Sequence, residues 1–368
     1  MIKVGIIGAS NDRQGWAARA HIPALKTLGD RYELTAVGTS RPESAREAAA
    51  VFGARHAFTD AGELARHPDV DLVVVTVKVP AHAQLIRAAI GAGKHVLSEW
   101  PLGLDLAEAS ALRAEADRAG VRHAIGLQAR HSPAAKRARE LIADGHLGRV
   151  TSVTAHVTRG KGTAGTIPAH NAYTFDRANG AGLVEVAGGH TLDLVEYLTG
   201  EIAELTAATA VQRPTMTVVE SGETIAVTAP DHLMLHGSMA SGASLSAYLQ
   251  DAKLAEPHSR LEIAGTRRDL LLTTIPHGDM LASQIQIGEL GLFEVAEPGE
   301  TWAPIPVPAA TQAPEQARNV AAMYADLAED LRDGGGRVAG FAEAERAHRV
   351  LDAATRSASR GVRVALQG

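Results

Sequence analysis

The chain has 368 residues, of which 45% are hydrophobic and 21% are charged, a composition typical of a soluble globular protein with more than one hydrophobic core. The formal net charge is -6 and no run of basic residues occurs, so binding to nucleic acid or to an anionic membrane surface is not expected. Cysteine is absent, which excludes disulfides, thiolate catalysis and cysteine-ligated metals.

The sequence also argues against secretion and membrane insertion. Residues 1–8 indicate a β-strand that runs into a turn, without the charged and apolar regions of a secretory signal. No apolar stretch approaches the roughly twenty residues needed to cross a bilayer. We therefore expect a cytoplasmic protein.

Short β-branched segments alternate with alanine-rich helical segments in the first third of the chain. The predicted strands are residues 2–7, 33–38, 71–77, 95–98 and 124–127. The predicted helices are residues 16–28, 43–51, 82–92 and 106–119. This alternation is typical of βαβ units, so residues 1–126 are predicted to form an α/β Rossmann domain with a doubly wound parallel sheet.

The pattern changes after residue 127. The predicted strands are residues 150–158, 204–212, 231–238, 243–249 and 260–264, and the predicted helices are residues 133–144, 182–198, 315–333 and 341–357. We expect residues 127–368 to form an α+β domain with a large open, mainly antiparallel sheet and C-terminal helices. Leu233, Leu235, Leu245 and Ala247 alternate along two of these strands and predict an apolar face without helical cover. Such a face would serve as the interface of a homodimer or homotetramer.

The turn after the first strand is rich in glycine. A turn of this kind lets backbone N–H groups approach a pyrophosphate at the start of the next helix. Ser10 replaces the middle glycine of the usual G-x-G-x-x-G pattern, so an ordinary βα turn is the alternative. The candidate cofactor-binding residues of this turn are Gly8, Ala9, Ser10, Asn11, Gly15 and Trp16.

The end of the second strand bears on the choice of dinucleotide. The Asp or Glu that binds the ribose 2′-OH in NAD sites is missing there. Thr39 and Ser40 can instead donate to a 2′-phosphate, and Arg41 can pair with its charge. NADP(H) is therefore favoured and NAD(H) remains possible, while a solvated arginine in a surface loop is the alternative interpretation.

Residues 94–102, Lys-His-Val-Leu-Ser-Glu-Trp-Pro-Leu, resemble the Gly-Lys-His-Val-x-x-Glu-Lys-Pro signature of the Gfo/Idh/MocA oxidoreductases. Further matches occur at residues 148–150 and 189–193, so the resemblance covers essentially the whole chain. It implies a Rossmann domain followed by a domain built on a large open sheet. Residues 21–24, 98–100 and 127–133 are similar to the Gal80-like branch of this family.

The resemblance also shows where this chain departs from the family. Its chemistry rests on the Lys of Glu-Lys-Pro and on a carboxylate one helical turn before a His. Trp100 and Val186 occupy those two positions, whereas His190 and Asp193 remain on one helix face. The resemblance implies that His190 acts as acid or base during hydride transfer and that Asp193 orients a neighbour. A structural His and a solvated Asp are the alternatives.

Other side chains are candidates because of their position. Lys78 follows a buried strand at the carboxyl edge of the sheet. It could supply the positive charge that is lost because Trp100 stands at the family's lysine position. The alternatives are that it contacts phosphate or is solvated. Tyr173 precedes the His190 helix and could donate a proton or pack in its loop. Trp100 could close an apolar pocket beside the nicotinamide or lie in the core. The remaining candidate cofactor contacts are Thr76, Val77, Lys78, His82, Glu99 and Gln128.

No histidine spacing typical of a metal site occurs, so no metal is expected. The resemblance implies an oxidoreductase that transfers hydride between NADP, or NAD, and a small sugar-like carbonyl or hydroxyl compound or another polar electrophile. The alternative is a non-catalytic, Gal80-like sensor that binds NAD(P) and a protein or sugar. The sequence names no protein partner.

Overall fold

The computed structural model describes residues 1–11, 15–275 and 280–366. The chain forms two compact units. The first unit comprises Met1–Gln128 and Thr311–Arg346, and the second comprises Ala129–Ala310 and Ala347–Gly368. The segment 311–346, which the sequence pattern assigned to the second domain, therefore belongs to the first unit.

The predicted strands and helices are all present, and further short elements lie between and after them. The strands are β1 (Ile2–Ile7), β2 (Tyr32–Gly38), β3 (His56–Phe58), β4 (Leu72–Val75), β5 (His95–Glu99), β6 (His123–Gly126), β7 (Val150–Thr158), β8 (Thr166–Ile167), β9 (Ile202–Ala210), β10 (Thr215–Val218), β11 (Thr224–Ala226), β12 (His232–Met239), β13 (Ser244–Gln250), β14 (Ser259–Gly265), β15 (Asp269–Thr274), β16 (Leu290–Val295), β17 (Ala303–Pro304) and β18 (Val364–Ala365). The α-helices are α1 (Ile22–Thr27), α2 (Pro42–Phe52), α3 (Ala61–Arg66), α4 (His82–Gly91), α5 (Leu106–Ala119), α6 (Pro133–Ala143), α7 (Gly189–Thr199), α8 (Glu315–Asp333) and α9 (Phe341–Arg360). Two π-helical segments, Ala17–His21 and Leu183–Gly188, precede α1 and α7.

The first unit is built on a six-stranded parallel sheet with the order β3-β2-β1-β4-β5-β6. This confirms the predicted doubly wound sheet. The strand order reverses between β1 and β4, and ligands of such sheets bind at the carboxyl ends of the strands at this point. The sequence pattern did not predict β3, which has only three residues.

Local signals set the bounds of α5, which match the prediction. The Asp105 side chain accepts a hydrogen bond from the Glu108 N–H and caps the first turn. Gly120 adopts a left-handed conformation (φ +65°) and ends the helix. Helix α8 packs its buried face, including Tyr324, against α1 and the hydrophobic core beside β1. Its apolar stripe is therefore covered by the Rossmann unit.

The second unit contains a nine-stranded sheet with the order β17-β16-β15-β14-β7-β13-β12-β9-β18 and a smaller sheet of β11, β10 and β8. Within the large sheet, β7 and β13 are parallel and the remaining neighbours are antiparallel. The predicted large, mainly antiparallel sheet is therefore confirmed. Because β7 and β13 run the same way, their carboxyl ends lie at one edge of the sheet.

The prediction of an uncovered apolar face is wrong for the residues on which it rested. Their side chains are at most 3% exposed because the π-helical segment Leu183–Gly188 packs on β12 and β13. A Cβ atom at Gly188 would lie 3.4 Å from Leu351 Cδ2 and 3.6 Å from Leu233 Cδ2, at ordinary van der Waals distance, so the segment lies directly over these side chains. The covered residues are Leu233, Leu235, Leu245 and Ala247. Dimer or tetramer formation therefore loses this support and remains a prediction.

Among the described residues, no helix combines the length and the apolar character that a membrane span requires.

Candidate functional site

The turn after β1 approaches the end of β4 so closely that position 8 requires glycine. Gly8 has φ +97°, and a Cβ atom there would lie 2.8 Å from Thr76 Oγ1 and 2.9 Å from Val77 Cγ1. The N–H groups of Gly8 and Ala9 both point to the Gly38 carbonyl, at 2.9 and 3.3 Å. Phosphate contacts from this turn must therefore come from later residues.

Those later residues include Ser10, Asn11 and Gly15, whereas residues 12–14 lie outside the described part of the chain. Asn11 Nδ2 donates to Glu47 Oε1 at 3.1 Å. Thr76 Oγ1 donates to the Ile7 carbonyl at 2.8 Å and joins β1 to the end of β4. Of the described side chains in this turn, that of Ser10 lines the neighbouring cavity.

A cavity of about 790 Å³ lies at the point where the strand order reverses. It brings together residues that follow β1, β2, β3 and β4. Six predicted cofactor residues line it, namely Gly8, Ser10, Thr39, Ser40, Arg41 and Val77. The sequence pattern did not single out Ser44, Thr59, Asp60, Arg66 and Gln84, which also line it. These residues follow other strands or lie on helices, so their convergence depends on the tertiary fold.

The charges in this cavity favour an anionic ligand. Arg41 and Arg66 line it, and Asp60 is the carboxylate among the lining residues. Asp60 Oδ1 already accepts the Glu63 N–H at 2.7 Å as the cap of α3. Thr39 Oγ1 donates to the Arg41 carbonyl at 3.0 Å and thereby shapes the loop after β2. Within the described residues neither guanidinium group forms an ion pair with a carboxylate, so both can bind a phosphate.

Other predicted contacts hold the carboxyl edge of the sheet together. The buried His82 ring has Nδ1 2.8 Å from the Pro101 carbonyl and Nε2 2.9 Å from the Val77 carbonyl. Burial lowers the pKa of His82. Trp100 is only 6% exposed, whereas Lys78 is exposed beside the end of β4. His82 thus positions the backbone, and its direct contact with a cofactor stays a prediction.

Glu99 belongs to a buried chain of polar side chains. Its Oε1 lies 2.9 Å from His21 Nε2, and His21 Nδ1 lies 2.8 Å from the Tyr324 hydroxyl. Gly126 leaves room for the Glu99 carboxylate, which a Cβ atom at that position would contact directly. The carboxylate therefore links β5 to the first π-helical segment and, through His21, to α8.

Two buried polar atoms near the same edge lack hydrogen-bond partners within the described residues. They are Trp16 Nε1 and Gln128 Oε1. Trp16 opens the segment after the glycine turn, and Gln128 follows β6. Leaving such an atom unsatisfied costs about 1–3 kcal/mol, so these atoms suit contact with a bound ligand or water. Together with the cavity, its arginines and Gly8, they fit a dinucleotide.

In the second unit, His190 lies at the start of α7, directly after a π-helical segment. Such segments occur frequently at functional sites. The side chain is 4% exposed, and neither His190 Nδ1 nor the buried Thr191 Oγ1 has a partner in the described structure. Burial, with a smaller contribution from Arg159, lowers the pKa of His190 to about 3. The imidazole is therefore neutral at physiological pH.

Asp193 contacts Arg130 through its carboxylate, and its predicted role in the site stays untested. Its two oxygens bind Arg130, with Oδ2 2.8 Å from Nε and Oδ1 2.5 Å from a terminal guanidinium nitrogen. The Arg130 guanidinium also lies 5.1 Å from the centre of the Tyr197 ring. This bidentate pair fixes the start of α6 against α7.

A second buried ion pair lies where the parallel strands β7 and β13 end. Arg159 and Asp251 follow these strands and are 6% and 5% exposed. Arg159 Nε lies 2.6 Å from Asp251 Oδ1, and a terminal guanidinium nitrogen lies 2.8 Å from Oδ2. The sequence pattern did not single out either residue. Their position directly after strand ends was the available signal, but only the register makes the strands neighbours.

Lys161 extends the same edge. Its Nζ lies 2.5 Å from Thr174 Oγ1 and 4.9 Å from the centre of the Phe175 ring. Burial, reinforced by Arg159, lowers the pKa of Lys161 to about 8. Tyr173 is half-buried in the adjoining segment Ala169–Phe175, and burial raises its pKa. Its predicted role as a proton donor stays untested.

One cluster of metal-type ligands occurs among the described residues, at the amino edge of the parallel sheet. Asp69 Oδ2 lies 3.1 Å from His56 Nε2, while its N–H donates to His67 Nδ1 at 3.1 Å. Lys3 Nζ lies 2.8 Å from Asp69 Oδ1, and the hydrogen bonds from Lys3 and then His56 lower the pKa of that carboxyl to about 2. The ammonium group compensates the carboxylate, so the cluster forms an ion-pair network at the start of the sheet.

The chain matches two known family models, one in each unit. Residues 2–127 match the Gfo/Idh/MocA model, an oxidoreductase family with an NAD-binding Rossmann fold, and residues 133–274 match the C-terminal domain of Gal80p. The dehydrogenase aclE of Aspergillus oryzae is 37% identical over 246 residues, which cover 65% of this chain and 67% of that protein. The chain belongs to the Gfo/Idh/MocA oxidoreductase family.

Solved structures of the family share the fold. A super-repressor mutant of Gal80p from Saccharomyces cerevisiae gives a TM-score of 0.87 at 22% identity and covers 99% of this chain and 97% of that chain. A levoglucosan dehydrogenase complex with NADH and L-sorbose gives a TM-score of 0.84 at 21% identity, with 100% and 99% covered. The chain spans about two thirds of the length of the curated relatives it matches, the dehydrogenase and the GAL80 regulatory proteins. The relatives of this chain thus include both dehydrogenases and regulatory proteins.

Proposed function

We propose that this member of the family is an NADP(H)-dependent oxidoreductase that acts on a small, polar, sugar-like carbonyl or hydroxyl compound. The observation that carries the proposal is the cavity at the strand-order reversal, where Arg41 and Arg66 face a lining whose carboxylate, Asp60, already caps a helix. A site for NAD usually offers a carboxylate to the ribose 2′-OH, whereas two guanidinium groups suit a 2′-phosphate.

The cofactor, when bound, supplies the hydride chemistry, and the protein supplies binding, orientation and control of protons. Gly8 lets the chain approach the ligand, and the arginines neutralise its phosphate charge. Gln128 Oε1 and Trp16 Nε1 are buried acceptor and donor atoms that the described protein leaves for a ligand. Their specific partners on the ligand form part of the proposal.

The residues that we propose to orient and protonate the substrate belong to the second unit. His190 is neutral, so its ring offers one N–H donor and one lone pair to a substrate hydroxyl or carbonyl. A neutral imidazole in a dry site orients the reacting oxygen without placing a second buried cation beside Arg159. Asp193 acts through Arg130 and does not itself accept the proton.

Calorimetric titration of the cofactor-stripped protein with NADPH and NADH tests the cofactor preference. Arg41→Ala should weaken NADPH binding about 10- to 100-fold, the range expected for lost charge-assisted hydrogen bonds, and NADH binding less than about threefold. Arg46→Ala is the matched control because Arg46 is exposed on α2 and pairs with Glu43 at 3.4 Å outside the cavity. Tighter binding of NADH than of NADPH by the natural chain would contradict the proposal.

One observation favours a second candidate, a cofactor-binding sensor without turnover. Trp100 is buried where relatives with the Glu-Lys-Pro signature have a lysine, and Val186 replaces the acid before His190. If the protein binds NADPH but does not oxidise it in the presence of any aldose, ketose or aldehyde tested, the sensor is supported. Steady-state oxidation that is lost in His190→Ala, with NADPH binding retained, would support the enzyme.

A further inference from the structure

Two histidines from distant segments meet on one face of the nine-stranded sheet. His156 lies on β7, and His258 immediately precedes β14, the antiparallel neighbour of β7. His156 Nδ1 lies 3.0 Å from His258 Nε2. Both side chains are half-buried, so part of each ring is accessible to a small ion. The pair belongs entirely to the second unit.

The backbone holds His258 in register with β7. The Thr158 N–H donates to the His258 carbonyl at 2.7 Å, and the His258 N–H donates to Thr158 Oγ1 at 3.0 Å. These bonds extend the pairing of β14 with β7 by one residue. His156 and His258 are therefore diagonal neighbours on one face of the sheet, and this spacing is within reach of long side chains.

A second contact orients each ring. The His156 ring stacks on that of Tyr248 in the neighbouring strand β13, with centres 5.6 Å apart and planes at 12°. His258 Nδ1 donates to the Glu256 carbonyl at 2.8 Å, because a carbonyl oxygen can only accept. Glu256 has φ +43°, a costly conformation of the kind that clusters at ligand-binding sites. A histidine that binds a metal is typically held by such a hydrogen bond from its other ring nitrogen.

The hydrogen bond to Glu256 also settles which nitrogens carry protons. Because Nδ1 of His258 is protonated, its Nε2 presents a lone pair, to which His156 Nδ1 donates in the free protein. Transfer of the His156 proton to its own Nε2 leaves the ring neutral and turns a second lone pair towards the first. The two imidazoles then form a neutral pair of metal ligands.

The distance between the two nitrogens discriminates among metal geometries. Two nitrogens bound at about 2.0–2.1 Å lie about 2.9 Å apart at right angles and about 3.4 Å apart at the tetrahedral angle. The observed distance of 3.0 Å matches the right angle of a square-planar or tetragonal ion. Cu(II) favours this geometry, accepts imidazole ligands and binds most tightly among the divalent first-row metals.

The charges around the pair are compatible with a bound cation. Burial, followed by His258, Lys253 and Arg260, lowers the pKa of His156, so this imidazole is neutral at physiological pH, as a metal ligand must be. Arg260 Nε lies 2.5 Å from Glu262 Oε1, which compensates the guanidinium charge locally.

We propose that His156 and His258 bind one tetragonal Cu(II) ion, with water in the remaining positions. The bound ion would join β7 to the segment before β14. No short histidine spacing marks the site, because its ligands lie 102 residues apart along the chain. The cluster at Asp69 is less suited to a cation, because the Lys3 ammonium group already holds its carboxylate. The inference is independent of the proposed oxidoreductase function.

Electron paramagnetic resonance of the natural, tag-free chain tests the site without any variant. Half an equivalent of Cu(II) would be added, so that the tightest site fills first. We expect a tetragonal signal whose spin-echo modulation reports two imidazole ligands. Calorimetric titration should give weaker binding of Zn(II) than of Cu(II). Fewer than two imidazoles in the signal, no Cu(II) binding, or tighter binding of Zn(II) would overturn the proposal.

Replacement of the ligands locates the ion. His156→Gln and His258→Gln should each weaken Cu(II) binding at least about tenfold in the calorimeter, because each removes one ligand. His236→Gln is the matched control, since His236 is exposed on β12 of the same sheet, and it should keep the natural affinity. Far-UV circular dichroism would verify that each variant is folded. Unchanged Cu(II) affinity in the double variant His156→Gln/His258→Gln would show that other histidines bind the ion and would refute the inference.

Discussion

Acid should destabilise the second unit through His190, and the variant His190→Gln should be less sensitive to acid. Burial lowers the pKa of this side chain to about 3 in the folded protein, whereas a histidine in an unfolded chain has a pKa of about 6.5. Between these values the unfolded chain binds a proton that the folded protein excludes. Stability is therefore complete above about pH 6.5 and falls as the pH decreases towards 3.

The magnitude follows from the same two pKa values. One proton changes the free energy of unfolding by up to about 1.4 kcal/mol per pH unit, so lowering the pH from 6.5 to 4.5 should remove roughly 2 kcal/mol through His190. His190 is 4% exposed, so solvent screening takes little from this value. Glutamine keeps the polar shape of the side chain but does not titrate.

Urea unfolding followed by circular dichroism at pH 6.5 and pH 4.5 provides the assay. The natural chain should lose about 2 kcal/mol more than His190→Gln between the two pH values. His236→Gln is the control for the same replacement outside the buried site, because His236 lies on the exposed face of β12. Equal losses in the natural chain and in His190→Gln would refute the assignment of a buried, neutral imidazole.

Three further changes test the structure around both sites. Gly8→Ala should weaken NADPH binding more than about tenfold and destabilise the first unit by about 1–3 kcal/mol, because alanine there has φ +97° and a Cβ atom 2.8 Å from Thr76 Oγ1; unchanged calorimetric affinity would contradict this. Arg159→Met should destabilise the second unit by about 3–5 kcal/mol in urea, because Asp251 is left charged and buried, and adding Asp251→Leu should restore more than half of the loss. No recovery in the double variant would show that the pair is not the cause. Arg41→Glu should reverse any preference for NADPH over NADH in the calorimeter, and a retained preference would exclude Arg41 as the 2′-phosphate ligand.

The Rossmann fold was largely predictable because its signals are local. The buried run before Thr76, the cap at Asp105 and the glycine at position 120 each mark one element within a few residues. The glycine turn was recognisable for the same reason. The contact of this turn with the end of β4 could not be recognised, because residue 76 is far from Gly8 along the chain.

Features that depend on distant segments could not be read from the sequence. An alternating pattern shows that Leu233 and Leu235 face one side of a strand, but not that the segment Leu183–Gly188 covers that side. The apolar stripe of α8 likewise does not reveal which core receives it. The ion pair of Arg159 with Asp251 depends on the parallel register of β7 and β13.

The π-helical segment before α7 also alters which side chains share a face, relative to an α-helix. Ideal α-helical spacing places Glu185 on a different face from His190. The i→i+5 hydrogen bonds of a π-helix alter that spacing. Glu185 instead accepts the Gly182 N–H at 3.1 Å, and burial raises its pKa. Its carboxyl group therefore accepts a hydrogen bond at the start of the segment.

Deuterium transfer is a direct test of the proposed hydride transfer. The protein would be incubated with NADPH that is dideuterated at nicotinamide C4 and with a panel of aldoses, ketoses and aldehydes, and the products would be analysed by mass spectrometry. We expect an alcohol product with one carbon-bound deuterium from the natural chain, and loss of that product in His190→Ala. Tight NADPH binding without deuterium in any product would contradict hydride transfer and leave cofactor sensing as the function.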